Sequence, residues 1–256
     1  DYDGWAALGN PGWGHDDVLP YFKRSEANAI HRDSPFHGVD GPLHVTNLRS
    51  PSPLNEVFLE ACQSQGIPFN PDFNGEQHHG CYHVQVTQKD GERHSAAAAF
   101  IHPNPDRPNL EVRTSAHITR VRFDQRRASG VEYQRGGRTE VVAARREVVM
   151  SAGAFGTPQI LMASGLGPGA HLQELGITPV LDVPGIGQNL QDHISALLIY
   201  RSLVPDHTVG ITPAGVARIL KAMWTWRRHR TGLITSCAAE SGVYYRTSPD
   251  VEVSDM

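Results

Sequence analysis

Cysteine is scarce and scattered. Only Cys62, Cys81 and Cys237 occur, with no Cys-x-x-Cys pair. That argues against a disulfide framework and fits buried thiols in a reducing compartment, so a cytoplasmic location is expected, with peripheral attachment to a membrane left open. Long apolar runs are missing too: no stretch approaches a membrane span, and no signal peptide is visible. Positive charge is not in surplus. A formal net charge of −4 leaves no excess of Lys and Arg to neutralise phosphates, which argues against nucleic acid as the main partner. No Gly-x-Ser-x-Gly elbow, His-Glu-x-x-His or P-loop is present, which disfavours α/β-hydrolase, zincin and P-loop chemistry. The dinucleotide fingerprint is also absent. Gly185-Ile186-Gly187-Gln188-Asn189-Leu190 lacks a third glycine and follows Pro184, and Gly165-Leu166-Gly167-Pro168-Gly169 closes a helix where a fingerprint would open one.

What is present is ordinary globular sequence, 39% hydrophobic and 20% charged over 256 residues, enough to bury a core. The chain is organised around Arg146 to Gly167, REVVMSAGAFGTPQILMASGLG. Val148, Val149 and Met150 predict a short strand covered on both faces. Ser151 to Ala154 are all small, so the backbone there can lie against something flat. Thr157 is placed to cap a helix with Pro158 at its first position, and Gly165 to end it in the left-handed conformation. A buried strand, a bend without side-chain bulk and a capped helix set main-chain N–H groups beside a crevice, where cofactors bind. A plain structural crossover reads the same residues equally well.

Around this stretch, Asp16 to Phe22 predict a short helix with Pro20 in its first turn, after a glycine loop anchored by Trp5 and Trp13. Residues 27–51 read as irregular apart from a strand over 42–45. Leu54, Val57, Phe58, Ala61 and Cys62 form one apolar helical stripe opened by Ser52 and Pro53. Tyr82 to Thr87 alternate as a strand, and Ser95 caps a short Ala-rich helix. Leu110 to Val142 read as a β-meander. Short strands are expected over 177–183 and 196–200, and Thr212 and Pro213 begin a long helix ending in Arg227, Arg228 and Arg230, suited to the helix dipole.

Among 14 histidines, His78, His79 and His83 lie with Cys81 within a few positions, and alternate strand residues can aim several of them at one metal. A non-enzymatic metal-binding or interaction module built on these four is therefore one reading, and solvated loop histidines are the simpler one. Asp192 and His193 read as a hydrogen-bonded structural pair. Glu240 stands at a strand start as a structural or a functional carboxylate. The chain opens at Asp1 without an initiator Met and closes at Met256 soon after the strand-like Ser241 to Arg246, so an internal piece of a longer protein is expected.

The segment GAFGTPQILMASGLG, Gly153 to Gly167, resembles the second signature of the glucose–methanol–choline (GMC) oxidoreductases at every specified position. WAALGNPGWGHDDVLPYFKRSE, HGVDGPLHV, SPLNEVFLEACQSQGIP, GERHSAAAAFIHP and PGIGQNLQDH fall in that family's order at about its spacings, nearest its choline and primary-alcohol dehydrogenase branch. The resemblance implies an α/β (α+β) fold in which an FAD-binding doubly wound domain (1–41 and 88–200) is interleaved with an antiparallel-sheet substrate domain (42–87 and 201–256), both incomplete here. It implies FAD as cofactor, with Ile118, Gly153, Ala154 and Asn189 beside it, and Glu240 facing the substrate, where it attracts the trimethylammonium group in choline-oxidising members. The implied reaction takes a proton from an alcohol hydroxyl and passes the α-hydride to flavin N5. The family's catalytic histidine is expected beyond Met256, so no residue here is assigned as catalytic and this piece alone is expected to be inactive. A redox-silent, hydroxynitrile lyase-like use of the fold is the alternative, and the electron acceptor is left open.

Overall fold

The computed structural model describes residues 1–200, 212–248, 250, 251 and 254. The chain forms two compact units, one built from Asp1–Arg107 and Tyr200–Met256, the other from Pro108–Ile199. Helix and sheet are mixed in both, and the sheets are small and open.

The first unit opens with α1 (Tyr2–Ala7) and α2 (His15–Ser25). His15 N–H donates to Asp3 Oδ1 at 2.8 Å, and Trp5 meets the rings of Tyr2 and Trp13 edge-on. Pro20 lies inside α2 and not in its first turn, because the helix begins at His15. Strand β1 (Glu26–Asn28) pairs in parallel with β2 (Leu43–Asn47), whose Thr46 and Asn47 pair antiparallel with Val86 and Gln85. Helix α3 spans Leu54–Ser64, but its buried face is Asn55, Leu59 and Cys62. The predicted stripe is therefore rotated: Leu54, Val57 and Phe58 are exposed. The reason lies in what covers the helix. Leu59 and Cys62 pack on Cys81, Ile67 and Val243, while the Asn55 amide reaches a carboxylate described below. β3 (Gly80–His83), β4 (Gln85–Val86), β5 (Gln88–Lys89) and β6 (Glu92–Arg93) follow, the last two as a hairpin.

The second unit is the expected meander. β7 (His117–Asp124), β8 (Arg127–Arg135) and β9 (Arg138–Ala143) pair antiparallel around Val121 and Tyr133. Helix α4 (Gly153–Ala163) packs on β7, and Ser164 Oγ accepts the Val121 N–H at 2.8 Å while donating to Ile160 O at 2.5 Å. β10 (Leu166–Gly167), α5 (Gly169–Glu174) with the fully buried Leu172, and β11 (Leu181–Asp182) complete it, β10 and β11 running parallel. Gly165 has φ +89°, the left-handed turn expected of it.

Three expectations fail in this unit. Residues 147–152 form no strand, and Val149 is 76% exposed. A strand needs neighbours along its hydrogen-bonding edges, and among the described residues none pairs with this stretch. Helix α4 also starts five residues before Pro158, so Thr157 is not its cap; the Thr157 hydroxyl instead accepts the Ala152 N–H at 3.0 Å. Residues 196–200 likewise form no strand.

The chain returns to the first unit. Helix α6 (Pro213–His229) is capped by Thr212 Oγ1, which accepts the Gly215 N–H at 3.0 Å. Arg230 beyond it stacks on Trp226 at 4.3 Å and pairs with Glu92 at 2.9 Å. Finally β12 (Ser241–Tyr244) pairs antiparallel with β3, Val243 opposite Cys81. Of the segment 201–256 expected to belong to a substrate domain, residues 201–211, 249, 252, 253, 255 and 256 lie outside the described residues.

Candidate functional site

The meander and the chain that leaves it enclose a largely apolar recess of about 540 Å³ within the second unit. Its floor is the paired Val131 and Val142 with Gly130 and Ala143 beside them. One wall is Ile118 of β7, which lies opposite Tyr133. The other is the run Glu147–Ala152, and Ile160 of α4 closes the end. Ile118 and the small-residue bend, which begins 33 positions later at Ser151, thus face one hollow. The missing strand partner explains its openness, since the apolar side chains of Val148–Met150 have no neighbouring strand to cover them.

Gly153 and Ala154 start α4 at the rim of this recess. Gly153 has φ +82°, which any side chain would strain, and open space where a Cβ would stand. The first N–H groups of α4 have no partner one turn back, so they are free to meet a ligand from that side. Asn189 belongs to the same unit but lines no part of the recess. It sits at φ 57° on an exposed loop, where Gly187 lies against Met162 of α4. Asp192 accepts the main-chain N–H of His193 at 2.8 Å; the expected pair forms through the backbone and not between the side chains.

Glu240 lies in the first unit and is 8% exposed. Its Oε2 accepts the Ser52 N–H at 2.6 Å and the Asn55 side-chain amide. Asn55 Oδ1 in turn accepts the Ser241 hydroxyl at 2.8 Å. The carboxylate therefore sits at the N-terminus of α3, where the helix dipole favours negative charge. Burial opposes its ionisation, but hydrogen bonds from Ser236, the Ser52 N–H and Asn55 outweigh burial and hold it below the usual glutamate range. Ser236 also lines a hollow of about 870 Å³ with Leu48, Gln88, Trp226 and Thr235. Asn55 and Ser52 were not legible as partners of Glu240; the apolar stripe of α3 masked the one polar residue that turns inward.

The histidine-rich stretch is dispersed. His78 stacks on Tyr244, His79 meets Tyr245 at a tilt with ring centroids 6.3 Å apart, and His83 Nε2 lies 3.5 Å from Glu56. Cys81 is fully buried in the α3 core, where burial pushes its thiol pKa up and the neighbouring Cys62 adds to the effect. Among the described residues no group of three or more His, Cys, Asp or Glu is arranged to hold a metal.

A family model described as GMC oxidoreductase matches residues 1–195. The oxygen-dependent choline dehydrogenase of Sinorhizobium medicae is 41% identical over 256 residues, covering 100% of this chain and 46% of that protein. The alcohol dehydrogenase [acceptor] of Pseudomonas putida is 41% identical over 98% of this chain and 46% of its own length, and the human mitochondrial choline dehydrogenase 36% identical over 100% and 43%. The chain thus spans less than half the length of these relatives. An FAD-dependent oxidoreductase of Chaetomium thermophilum superposes with a TM-score of 0.75 at 28% identity, over 91% of this chain and 43% of that one. A formate oxidase of Aspergillus oryzae gives 0.76 at 26%, over 94% and 43%. With its meander, its small-residue bend and its α4 signature helix all matched by that family, the chain belongs to the GMC oxidoreductases.

Proposed function

We propose that this chain is part of an FAD-dependent oxidoreductase acting on the CH–OH group of an alcohol, of the choline or primary-alcohol type. The observation that carries the reading is the recess shared by Ile118 and residues 148–152. Its volume falls in the range of small-molecule sites, and branched aliphatic walls suit a flat heterocycle. It fits the adenine end of a flavin nucleotide. Ile118 is proposed to supply main chain at the adenine, and Gly153 and Ala154 to bring unpaired N–H groups toward the cofactor without side-chain bulk. Asn189 is proposed to join them from its loop.

FAD supplies, when bound, a two-electron acceptor for the hydride of the alcohol carbon. The contribution of this chain is to hold it against apolar walls that exclude water. Glu240 is proposed to favour a cationic alcohol. A carboxylate kept ionised while buried, on the neutral donors named above, retains its charge for a trimethylammonium group that cannot hydrogen-bond. We assign 1–41 and 88–200 to the cofactor and 42–87 and 201–256 to the substrate. No catalytic residue is named within the chain. The free thiols of Cys62, Cys81 and Cys237 support a reducing, cytoplasmic setting, and no helix among the described residues is long and apolar enough to cross a membrane.

The test is purification of the whole protein. Flavin absorbance near about 450 nm with dye reduction by choline or a primary alcohol is the expected result. A colourless protein, or cyanide release from a hydroxynitrile without dye reduction, would overturn the reading.

A further inference from the structure

The residues HGVDG, His37 to Gly41, carry part of the family resemblance but take no part in the reading above. In the first unit, His37 is 7% exposed. Its Nδ1 lies 3.0 and 3.1 Å from the carboxylate oxygens of Glu26 on β1, and its Nε2 lies 3.0 Å from Asp72 Oδ1 on the loop before β3. Ionised carboxylates only accept hydrogen bonds, so satisfying both contacts requires a proton on each ring nitrogen. Glu26 is further committed as an acceptor: Oε2 takes the Gly38 N–H at 3.0 Å and Oε1 an Asn28 amide hydrogen at 2.9 Å. The orientation of Asn28 is set independently, since its Oδ1 accepts the N–H groups of Ile30 and His31. Its second amide hydrogen goes to Gln85 Oε1 at 3.2 Å. The Asn28 amide nitrogen also lies 3.1 Å from His37 Nδ1, but its two hydrogens are directed to Glu26 Oε1 and Gln85 Oε1, which leaves Nδ1 to donate to Glu26.

Two loops meet at this ring. His31 stacks on His37 with centroids 5.4 Å apart, and its Nε2 stands 4.0 Å from Asp72 Oδ1. Lys23 of α2 donates to Pro35 O at 2.7 Å. Gly38 fits because it has no side chain: a Cβ there would lie 1.8 Å from the Lys23 carbonyl oxygen. Asp72 is tied to β3 through Asn70, whose Oδ1 accepts the Asp72 N–H and whose N–H donates to Cys81 O.

We propose that His37 is an imidazolium latch, whose protonation fastens residues 29–41 to the loop at 70–75 and whose deprotonation releases them. The charged and titratable groups facing it are Glu26, Asp72 and His31, with Lys23 at the far end of its loop. Burial alone would discharge the ring, but hydrogen bonds to Asp72 and Glu26 and their charges outweigh burial and raise its pKa. The sign follows: the latch is fully made below the ordinary histidine value of about 6.5 and is lost as pH rises through the raised folded value.

Hydrogen exchange on the whole protein tests this, with labelling times scaled for intrinsic rates between about pH 6 and about pH 9, a range that brackets the histidine titration. In the wild type, opening of peptides 26–41 and 67–79 should rise by up to about tenfold per pH unit above the onset, while peptides of β7–β9 stay unchanged. His37→Gln should open both peptides at every pH with no slope, and Asp72→Asn should lower the pH at which the rise levels off. Protection independent of pH in the wild type, the same slope in His37→Gln, or an unmoved levelling-off in Asp72→Asn would overturn the proposal. If His37→Gln does not fold, the wild type and Asp72→Asn still decide it.

Discussion

Glu240 Oε2 accepts the main-chain N–H of Ser52 at 2.6 Å, a contact between residues 188 apart in sequence. It joins the lead-in of β12 to the first turn of α3, and so helps to make one unit from two distant lengths of chain. The Asn55 amide and the Ser241 hydroxyl complete the same junction.

Glu240→Gln should destabilise the first unit by about 1–3 kcal/mol, because a hydrogen bond to a charged acceptor at a helix N-terminus becomes a neutral one. The folded pKa of Glu240 is depressed. Its stabilisation is therefore present above the ordinary glutamate range and drains away as pH falls through the folded value. Thermal unfolding against pH should show an acid limb in the wild type that is shallower in the variant.

Asn55→Asp should be worse than Asn55→Ala near neutral pH. It sets a second carboxylate against Glu240 in a buried position, where like charges repel strongly. Acidification should restore part of the loss in Asn55→Asp and none of it in Asn55→Ala. Denaturant midpoints at neutral and acid pH separate the two.

Tyr133→Phe should cost about 1 kcal/mol. The Tyr133 hydroxyl is held between Arg113 Nη1 and Glu140 Oε2, donating to the latter at 2.6 Å, and the residue is 2% exposed. Urea unfolding of the variant should shift the midpoint without changing the slope.

Much of this was legible beforehand, and the failures share a cause. The meander, α6 with its Thr212 cap and the turn at Gly165 follow from local rules of periodicity, capping and backbone freedom, so they could be read directly. Val148–Met150 has the composition of a buried strand but forms none, because a strand depends on partners that periodicity cannot supply. The face of α3 was misjudged for a related reason. Apolar spacing selects Leu54, Val57, Phe58, Ala61 and Cys62, of which Cys62 is buried, whereas long-range contacts to Glu240 and Cys81 turn Asn55 and Leu59 inward beside it. For the candidate site, the bend at 151–154 stood out by its small residues, and Ile118 was reached through family resemblance. The other wall of the recess, Gly130 to Val131 with Val142 to Ala144, carried no signal beyond ordinary strand sequence.

The most direct test of the cofactor reading is a crystal structure of the whole protein grown with FAD. The adenine end should lie in the hollow bounded by Ile118 and Val148–Ala152, with the first turn of α4 turned toward the nucleotide. FAD held elsewhere, with that hollow filled by protein side chains, would contradict it.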